Sequence, residues 1–235
     1  MSRIIWDKTG EKYFETGTKM GVLYVQDTTG AYGTGVPWNG LTGFTESPTG
    51  AESNKMYADD ILYADLRSAE ELEGSLTAYT YPDEFAECDG SSEVVDGVYI
   101  GQQIRKKFGF CYRSTIGNDV NMDVGYKLHI VYGATASPSE KAYATINDSP
   151  EGIEFSWDIT TTPVNVASID GKTFKPTASI IIDSRKYATG EGKAKLKKIE
   201  DALYGVDADS TASPAIEASE PRLLLPDEIV KILSA

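Results

Sequence analysis

Apolar and polar residues alternate with a period of two through most of the first 183 residues. This period is typical of β-strands that bury one face and expose the other. Turn residues separate the alternating segments, which predict about eight strands over residues 19–26, 37–45, 56–66, 72–80, 106–116, 122–132, 152–162 and 173–183. The pattern predicts a mainly β fold, either an antiparallel β-sandwich or a barrel.

The alternation is clearest between residues 56 and 90. Residues 56–66 and 72–80 are predicted to pair with each other as a hairpin, with an apolar face for the core and an outer face. The outer face carries four acidic residues, which are Asp59, Asp65, Glu71 and Glu73. Pro82 stops the ladder because it lacks a backbone N–H, and it favours the first turn of a short helix that Gly90 can end.

The period changes after residue 190, where apolar residues recur at helical spacing. Leu196, Ile199 and Leu203 predict an amphipathic helix over residues 192–204 that flanks one face of the sandwich. Its lysines come early and its acids late, opposite to what the helix dipole favours, so packing must hold the helix in place. Residues 207–222 are small, polar and interrupted by proline, which predicts a linker.

An apolar segment follows this linker, and Pro226 starts a second short helix within it. We expect the segment to dock either on its own domain or on a neighbouring copy. Its candidate contact residues are Leu223, Leu224, Leu225, Ile229 and Leu233. The chain thus divides into an N-terminal arm (1–18), a sandwich domain with its flanking helix (19–204), and a linker with a C-terminal arm (205–235). The N-terminal arm either packs on a neighbour or forms an irregular start to the domain.

Composition limits the functions that this fold can serve. The chain of 235 residues has 36 acidic and 22 basic side chains, a net charge of −14, which argues against non-specific binding to nucleic-acid phosphates. No apolar run approaches the roughly 20 residues that cross a bilayer, and the first residues lack the apolar region of a secretory signal. Cys88 and Cys111 are the only cysteines, and we expect two buried thiols in a protein folded in the cytoplasm rather than a disulfide.

The residue types that carry enzyme chemistry do not combine into a recognised constellation. Asp59 and Asp60 are adjacent, and on a strand they would point to opposite faces, so they are not expected to share a proton. His129 is the only histidine and forms no zinc-binding spacing with the two cysteines. The segment 190–193 lacks the flanking glycine and hydroxyl residues of a phosphate-binding loop. We therefore expect no catalytic residue, no cofactor and no metal site, and a protein that is not an enzyme.

Four segments carry a more specific signal. Residues 57–63 read YADDILY, residues 73–76 read EGSL, residues 82–85 read PDEF, and residues 30–41 read GAYGTGVPWNGL. Together they resemble the signature region of the major tail proteins of siphophages, the long, non-contractile-tailed phages, in the phi13-like family. In the upstream segment Val36 and Pro37 are exchanged relative to the family pattern. The resemblance is strong over about residues 21–90 and compatible in strand pattern up to about residue 183, and the chain after residue 187 does not match the family core.

The resemblance implies a structural virion protein with the tail tube fold, an antiparallel β-sandwich with a flanking α-helix. In this family hexameric rings form, their inner sheets join into a barrel around a DNA channel, and the rings stack into the tail tube. The tube conducts genomic DNA from the capsid to the host cell without binding it specifically. The implied partners are other copies, the tape measure protein, the tail terminator and distal tail proteins, with assembly in the host cytoplasm and no membrane.

The resemblance also suggests roles for exposed residues. The four outer-face acids line the channel or an inter-subunit seam, unless they belong to a solvated outer wall. An acidic lining suits a channel because carboxylates repel phosphate and let DNA slide. Contacts between stacked rings are expected from the C-terminal arm and from a polar loop over residues 46–54, through Glu46, Ser47, Pro48, Thr49, Gly50 and Glu52.

The residues also allow a different class, a monomeric carbohydrate-binding or adhesion β-sandwich module. The chain has 14 tyrosines, and tyrosine-rich faces stack on sugar rings. Rings or tubes in micrographs would favour the tail protein, whereas a single monodisperse species would favour the module.

Overall fold

A computed structural model of the chain describes residues 3–146, 148, 151–168, 172–209, 211 and 217–234. This part is mainly β, with an antiparallel sheet, a flanking helix and a C-terminal helix, which confirms the predicted fold class. The strands are β1 (Tyr13–Val25), β2 (Val36–Trp38), β3 (Leu41–Glu46), β4 (Thr49–Gly50), β5 (Ser53–Ala58), β6 (Ile61–Arg67), β7 (Glu70–Glu71), β8 (Glu73–Ala78), β9 (Ser92–Val95), β10 (Val98–Ile100), β11 (Phe108–Asn118), β12 (Gly125–Ala136), β13 (Phe155–Thr161) and β14 (Ser179–Asp183). The helices are α1 (Gly190–Tyr204) and α2 (Pro226–Ser234), and short 3₁₀ helices cover Asp83–Glu87 and Ser184–Tyr187.

One antiparallel sheet of eight strands forms the body of the domain. Its order is β2-β1-β11-β12-β13-β8-β3, and β14 pairs with the same edge of β12 as β13 does. The strands at the two ends of this order, β2 and β3, do not pair with each other, so the described sheet does not close into a barrel. The sandwich is therefore the correct choice between the two predicted architectures.

The sheet folds over on itself and makes a sandwich of two walls. The first wall contains β2, β1, β11, β12 and β14, and the second wall contains β13, β8 and β3. Their facing side chains form the sandwich core, in which Phe108, Leu76 and Trp157 are fully buried. Phe44 of β3 meets Phe110 of β11 edge to face, with ring centroids 5.1 Å apart, although these strands are not neighbours in the sheet. The two walls are therefore held together by burial of aromatic surface.

The sheet folds over within β12, which changes its pairing partner along its length. Residues Lys127–Val131 pair with β14, and residues Ala134–Ala136 pair with β13. Gly133 lies between the two registers with a φ of 58°. A β-carbon on this residue would lie 2.3 Å from the carbonyl oxygen of Thr162, so only glycine permits this close approach.

The first wall is also buried on its outer face, where it meets α1. The contacting side chains are Leu128, Ile130 and Tyr132 from β12 and Leu196, Ile199 and Leu203 from α1. We call this second cluster the helix-side core. The predicted alternation of β12 and the predicted apolar stripe of the helix are both confirmed.

A charged and aromatic cluster packs against the C-terminal end of α1. Acidic side chains at this end are unfavourable for the helix dipole. Glu200, near the C-terminal end of α1, pairs with Arg113 of β11 at 2.7 Å. The Arg113 guanidinium also lies over the rings of Tyr126 and Tyr204, at 4.4 and 4.8 Å from their centroids. This cluster supplies part of the packing that the sequence requires for the helix.

The C-terminal apolar segment docks on its own domain. Leu223, Leu224 and Ile229 are buried in the helix-side core, and Leu233 is half-buried against it. The hydroxyl of Tyr132 donates a hydrogen bond to the carbonyl oxygen of Leu224 at 2.8 Å. Of the two docking sites that the sequence left open, the segment therefore occupies the one on its own domain.

Only part of the predicted linker over residues 207–222 is described. Residues 210 and 212–216 lie outside the described residues. Val206 and Ser219, on either side of them, form an antiparallel bridge. The chain is therefore in contact with itself at both ends of this segment.

The two cysteines are free thiols on opposite sides of the first wall. Cys88 lies in the sandwich core and Cys111 in the helix-side core, so they do not approach each other. Burial raises the pKa of Cys88 to about 12 and that of Cys111 to about 11. The prediction of two buried thiols is confirmed.

Replacement of Leu224 tests the docking of the C-terminal segment. We expect Leu224→Ala to lower the free energy of unfolding by about 2–5 kcal/mol, because the truncated side chain leaves a cavity in a closed core. The matched control is Leu225→Ala, at a neighbouring leucine that is 43% exposed. It should cost about 0.5 kcal/mol or less. Chemical denaturation measures both variants, and equal losses would contradict docking on the chain's own domain.

Candidate functional site

A long hairpin extends from the second wall beyond the sandwich. The pairing of β3 with β8 continues through β4 with β7 and then through β5 with β6. Backbone hydrogen bonds bridge the intervals, from Ser47 N to the carbonyl of Glu73 at 2.8 Å and from Ala51 N to the carbonyl of Ala69 at 3.3 Å. Fully extended, residues 47–59 would span at most about 40 Å at roughly 3.3 Å per residue, and the left-handed Gly50 and Ala51 shorten this.

The predicted pairing of residues 56–66 with 72–80 is wrong. The first of these segments folds back on itself, and β8 pairs with β3 and β13 instead. Asp59 and Asp60 form the two-residue turn with φ angles of 53° and 59°, a left-handed conformation that aspartate tolerates. The two-residue turn shifts the alternation by one position, so that Ala58 and Ile61 share a face, and a register irregularity between the Met56 and Tyr57 pairings shifts it back. The sequence therefore looks like one continuous alternating segment, and the period alone does not reveal the turn. The two carboxylates lie in an exposed turn, and the argument that a strand separates them does not apply.

The hairpin has one apolar face that no described part of the chain covers. The ladder places on this face Met56, Ala58, Ile61, Ala64 and Leu66. Met56, Ile61 and Leu66 are 46, 65 and 54% exposed. The opposite face carries Lys55, Tyr57, Leu62, Asp65 and Arg67. We call the first set the hairpin apolar face.

The sequence reasoning assigned an apolar face of this segment to the sandwich core, and that assignment is wrong. It also grouped Leu62 with Met56, whereas the turn places Ile61 there. The available signal was the Asp-Asp pair between two alternating stretches, which is a hairpin-turn signature. A two-stranded ribbon is marginally stable in water by itself, so this face requires a covering surface.

The four candidate acids are spread along one arm of the hairpin. Asp59 lies at the tip, and Asp65 lies on the face opposite the apolar one, 3.6 Å from Arg67. Glu71 belongs to β7, and Glu73 begins β8 on the side opposite the buried Leu76. The structure therefore does not gather these carboxylates into one cluster.

The predicted polar loop over residues 46–54 is mostly strand that pairs with the facing arm, with left-handed φ angles of 80° at Gly50 and 53° at Ala51. Its candidate residues Glu46, Ser47, Pro48, Thr49, Gly50 and Glu52 are all exposed. They form the outgoing arm of the hairpin, opposite residues 69–74. Pro48 and Gly50 disfavour strand, but the facing arm supplies hydrogen-bond partners on both sides of the left-handed residues.

A polar surface lies on the sandwich side of the first wall, beyond the reach of the second wall. Lys127 of β12 pairs there with Glu15 of β1. His129 stacks on Tyr112 with ring centroids 4.6 Å apart, and its Nε2 lies 2.9 Å from the hydroxyl of Ser114. Its Nδ1 is buried and has no partner among the described residues. Burial lowers the pKa of His129.

The described residues contain no group of three or more histidine, cysteine or acidic side chains that could hold a metal ion. None of the helices in the described structure is long and apolar enough to span a membrane.

Exposed apolar surface of this kind is typical of a site that contacts another molecule. The sequence matches the phage tail tube protein family over residues 32–210, more than half of the chain. The chain therefore belongs to the phage tail tube protein family, a structural family of the virion tail. This match confirms the family that the sequence motifs suggested. Comparison with curated proteins returns no match.

The lowered pKa of His129 predicts a pH-dependent contribution to stability. The unfolded chain takes up a proton near pH 6.5, above the folded pKa, so stability should fall as the pH drops below about 6.5. His129→Gln should remove this contribution and leave the acid titration of the carboxylates in place. The test is the difference in denaturation midpoint between about pH 7.5 and about pH 5. The same difference in the variant and the original chain would contradict the role of His129.

Proposed function

We propose that this chain forms hexameric rings that stack into the tail tube and conduct genomic DNA from the capsid to the host cell. The observation that carries the proposal is the hairpin apolar face, exposed on a chain of the tail tube family. Large apolar surfaces on a soluble chain mark contacts with other molecules. In a self-assembling tube the covering surface belongs to a second copy.

The hairpin is long enough to reach a copy in the next ring. Its arm, at most about 40 Å at roughly 3.3 Å per residue, is comparable in length to β1, which has 13 residues. In the proposed tube the hairpin apolar face lies on the adjacent ring, and Glu46, Ser47, Pro48, Thr49, Gly50 and Glu52 contact that ring near the hairpin base. Buried apolar area then supplies the affinity, and polar residues at the rim set the register.

In the proposed tube, fewer residues of the C-terminal arm contact the adjacent ring than the sequence suggests. Leu223, Leu224, Ile229 and Leu233 pack on their own domain, so they are not free to bind a neighbour. Leu225 is the exposed member of the set and is our remaining candidate for a contact between rings. The buried residues act indirectly, because they hold the first wall in shape.

The charge of the chain suits the proposed channel. A net charge of −14 on each copy multiplies around a ring and repels the phosphates of passing DNA. We propose that Asp59, Asp65, Glu71 and Glu73 lie at the channel or at an inter-subunit seam. The proposed partners are the tape measure, tail terminator and distal tail proteins, met during assembly in the host cytoplasm.

A matched pair of substitutions at the hairpin tip tests the function. Ile61 and Leu62 are adjacent and similarly exposed, but they lie on opposite faces. We expect Ile61→Asp to abolish tubes because it puts a charge on the covered face, and Leu62→Asp to preserve them. Both should unfold within about 0.5 kcal/mol of the original chain, since neither side chain is buried in the monomer.

Negative-stain microscopy of the two variants and the original chain reads out this experiment. Rings or tubes from the original chain and from Leu62→Asp, but not from Ile61→Asp, are the expected result. Equal assembly by both variants would refute the role of the hairpin apolar face. A monodisperse original chain that binds oligosaccharides would favour the carbohydrate-binding module instead.

A reconstruction of the assembled tube tests the acidic residues separately. We expect the carboxylates of Asp59, Asp65, Glu71 and Glu73 to lie against the channel or within a few ångströms of another subunit. Side chains that point radially outward into solvent would reject that assignment.

A further inference from the structure

An apolar groove lies between β14, α2 and the chain at residues 174–177. It has a volume of about 720 Å³, and its walls include Phe174, Ile181 and Val230. Phe174 and Ile181 are 47 and 51% exposed, so no described part of the chain fills the groove. We call this surface the β14 groove. Apolar surface that a chain leaves uncovered is typical of a contact with another molecule.

The backbone beside the groove is partly used already. Thr177 bridges Val164, and its side-chain hydroxyl donates to the carbonyl oxygen of Ser179 and accepts from the N–H of the same residue. An occupant is therefore expected to bind through apolar side chains that enter the groove, rather than as a strand added to β14.

We propose that the hairpin apolar face of one copy docks in the β14 groove of a second copy. The contact rests on the proposed function and deepens it, because it names the surface in the adjacent ring that covers the hairpin. Both surfaces are apolar and exposed in the same chain, and a two-stranded ribbon needs such a cover. In this arrangement Ile61 and Met56 lie against Ile181 and Phe174.

The charges around the groove favour an acidic occupant. Lys175 and Lys186 line the groove, and neither forms an ion pair in the described structure. The one acid of the lining, Asp183, already pairs with Arg185 at 2.7 Å. Asp227 of α2 accepts a hydrogen bond from a backbone N–H at 2.6 Å. The rim therefore presents two positive charges that lack a partner in the described structure.

The hairpin carries the complementary charge at its tip. Asp59 and Asp60 form the turn, and neither forms an ion pair among the described residues. The nearest basic residues along the chain are Lys55 and Arg67, and Arg67 pairs with Asp65. When the hairpin apolar face lies in the groove, the carboxylates of the turn can reach the lysines of the rim. Opposite charges at a rim favour one orientation of the partners.

The other exposed apolar elements of the chain fit the groove less well. The N-terminal segment contains Arg3 and Lys8 against one acid, Asp7, so it would bring positive charge to a positive rim. The hairpin of β9 and β10 is short, with strands of four and three residues. Most of the C-terminal apolar residues are already packed in the helix-side core. The long hairpin is therefore the occupant that both charge and length favour.

The groove lies beside the base of the hairpin of its own chain. Lys175, Pro176 and Thr177 also line a neighbouring pocket of about 540 Å³, together with Pro48 and Glu70 of the hairpin base. The tip of the hairpin is at most about 40 Å from this base, at roughly 3.3 Å per residue. A copy displaced along the hairpin by about this distance would bring its tip to the groove of another copy. The same step can repeat from copy to copy, so the contact is head-to-tail and suits the stacking of rings.

Disulfide formation between cysteine variants tests the contact. Ile61→Cys is mixed before assembly with Ile181→Cys or, to allow for a small difference in register, with Phe174→Cys. A disulfide needs β-carbons within about 4.5 Å, so only direct contact joins the two chains. Under mild oxidation we expect a covalent dimer at about tenfold or more the yield of a control mixture, because docking raises the effective concentration of the two thiols. The control replaces Ile61→Cys by Leu62→Cys, at a residue on the opposite face of the hairpin.

A chain that carries both Ile61→Cys and Ile181→Cys tests the head-to-tail arrangement. We expect a ladder of covalent multimers on a denaturing gel, because each chain gives one tip and receives another. Cys88 and Cys111 are buried and should not react. A product that stops at the dimer would overturn the head-to-tail arrangement.

The outcomes separate this contact from the proposed function. Tubes that form without a disulfide between Ile61→Cys and either groove position overturn the contact and leave the function in place. Equal yields from Ile61→Cys and Leu62→Cys would also overturn it. A disulfide from Ile5→Cys or Val98→Cys to the groove, in place of the expected one, would give the groove to the N-terminal segment or to the hairpin of β9 and β10. Failure of the original chain to form rings or tubes would overturn both proposals.

Discussion

Burial of the first wall on both faces is the constraint on which the rest of the structure depends. In β11, Phe110 lies in the sandwich core and Cys111 in the helix-side core. In β12, Val131 lies in the sandwich core and Ile130 in the helix-side core. Strands with two apolar faces need a cover on each side. The second wall provides one cover, and α1 with the C-terminal leucines provides the other. The second wall is covered on one side only, and its β3 and β8 are the strands that continue outward as the hairpin.

The fold was largely predictable because burial repeats with the period of the secondary structure. Leu128, Ile130 and Tyr132 alternate, Leu196, Ile199 and Leu203 follow helical spacing, and both sets are buried where their patterns required. The hairpin was not predictable in the same way. The turn at Asp59 and Asp60 shifts the alternation by one position and a register irregularity in the ladder shifts it back, so the sequence resembles a single strand. The long-range pairing of β8 with β3 leaves no local signal. Sequence patterns report that a residue is apolar, but they do not report which molecule covers it.

The exposed elements of the domain share one physical feature, which is that each can make further contacts with another chain. Within the described residues, the hairpin has an apolar face without a cover, and β14 pairs with a strand on one edge only, although Thr177 takes the backbone groups of Ser179 on the other. In an isolated chain such surfaces invite aggregation. In a tube of identical copies each is available for an intermolecular contact, so the features that make the monomer hazardous are those that suit it to ordered assembly. The acidic balance of the chain works against uncontrolled association in the meantime.

The helix-side core also has a consequence for the order in which the chain is made. Leu223, Leu224 and Ile229 complete this core, and they lie later in the sequence than every strand they cover. A chain emerging from the ribosome can therefore lay down all its strands while the outer face of β12 is still open. α1 can cover part of that face first, and Leu223, Leu224 and Ile229 complete the cover. A copy that stops before residue 223 would bury the side of β12 around Tyr132 incompletely, because only α1 would pack there.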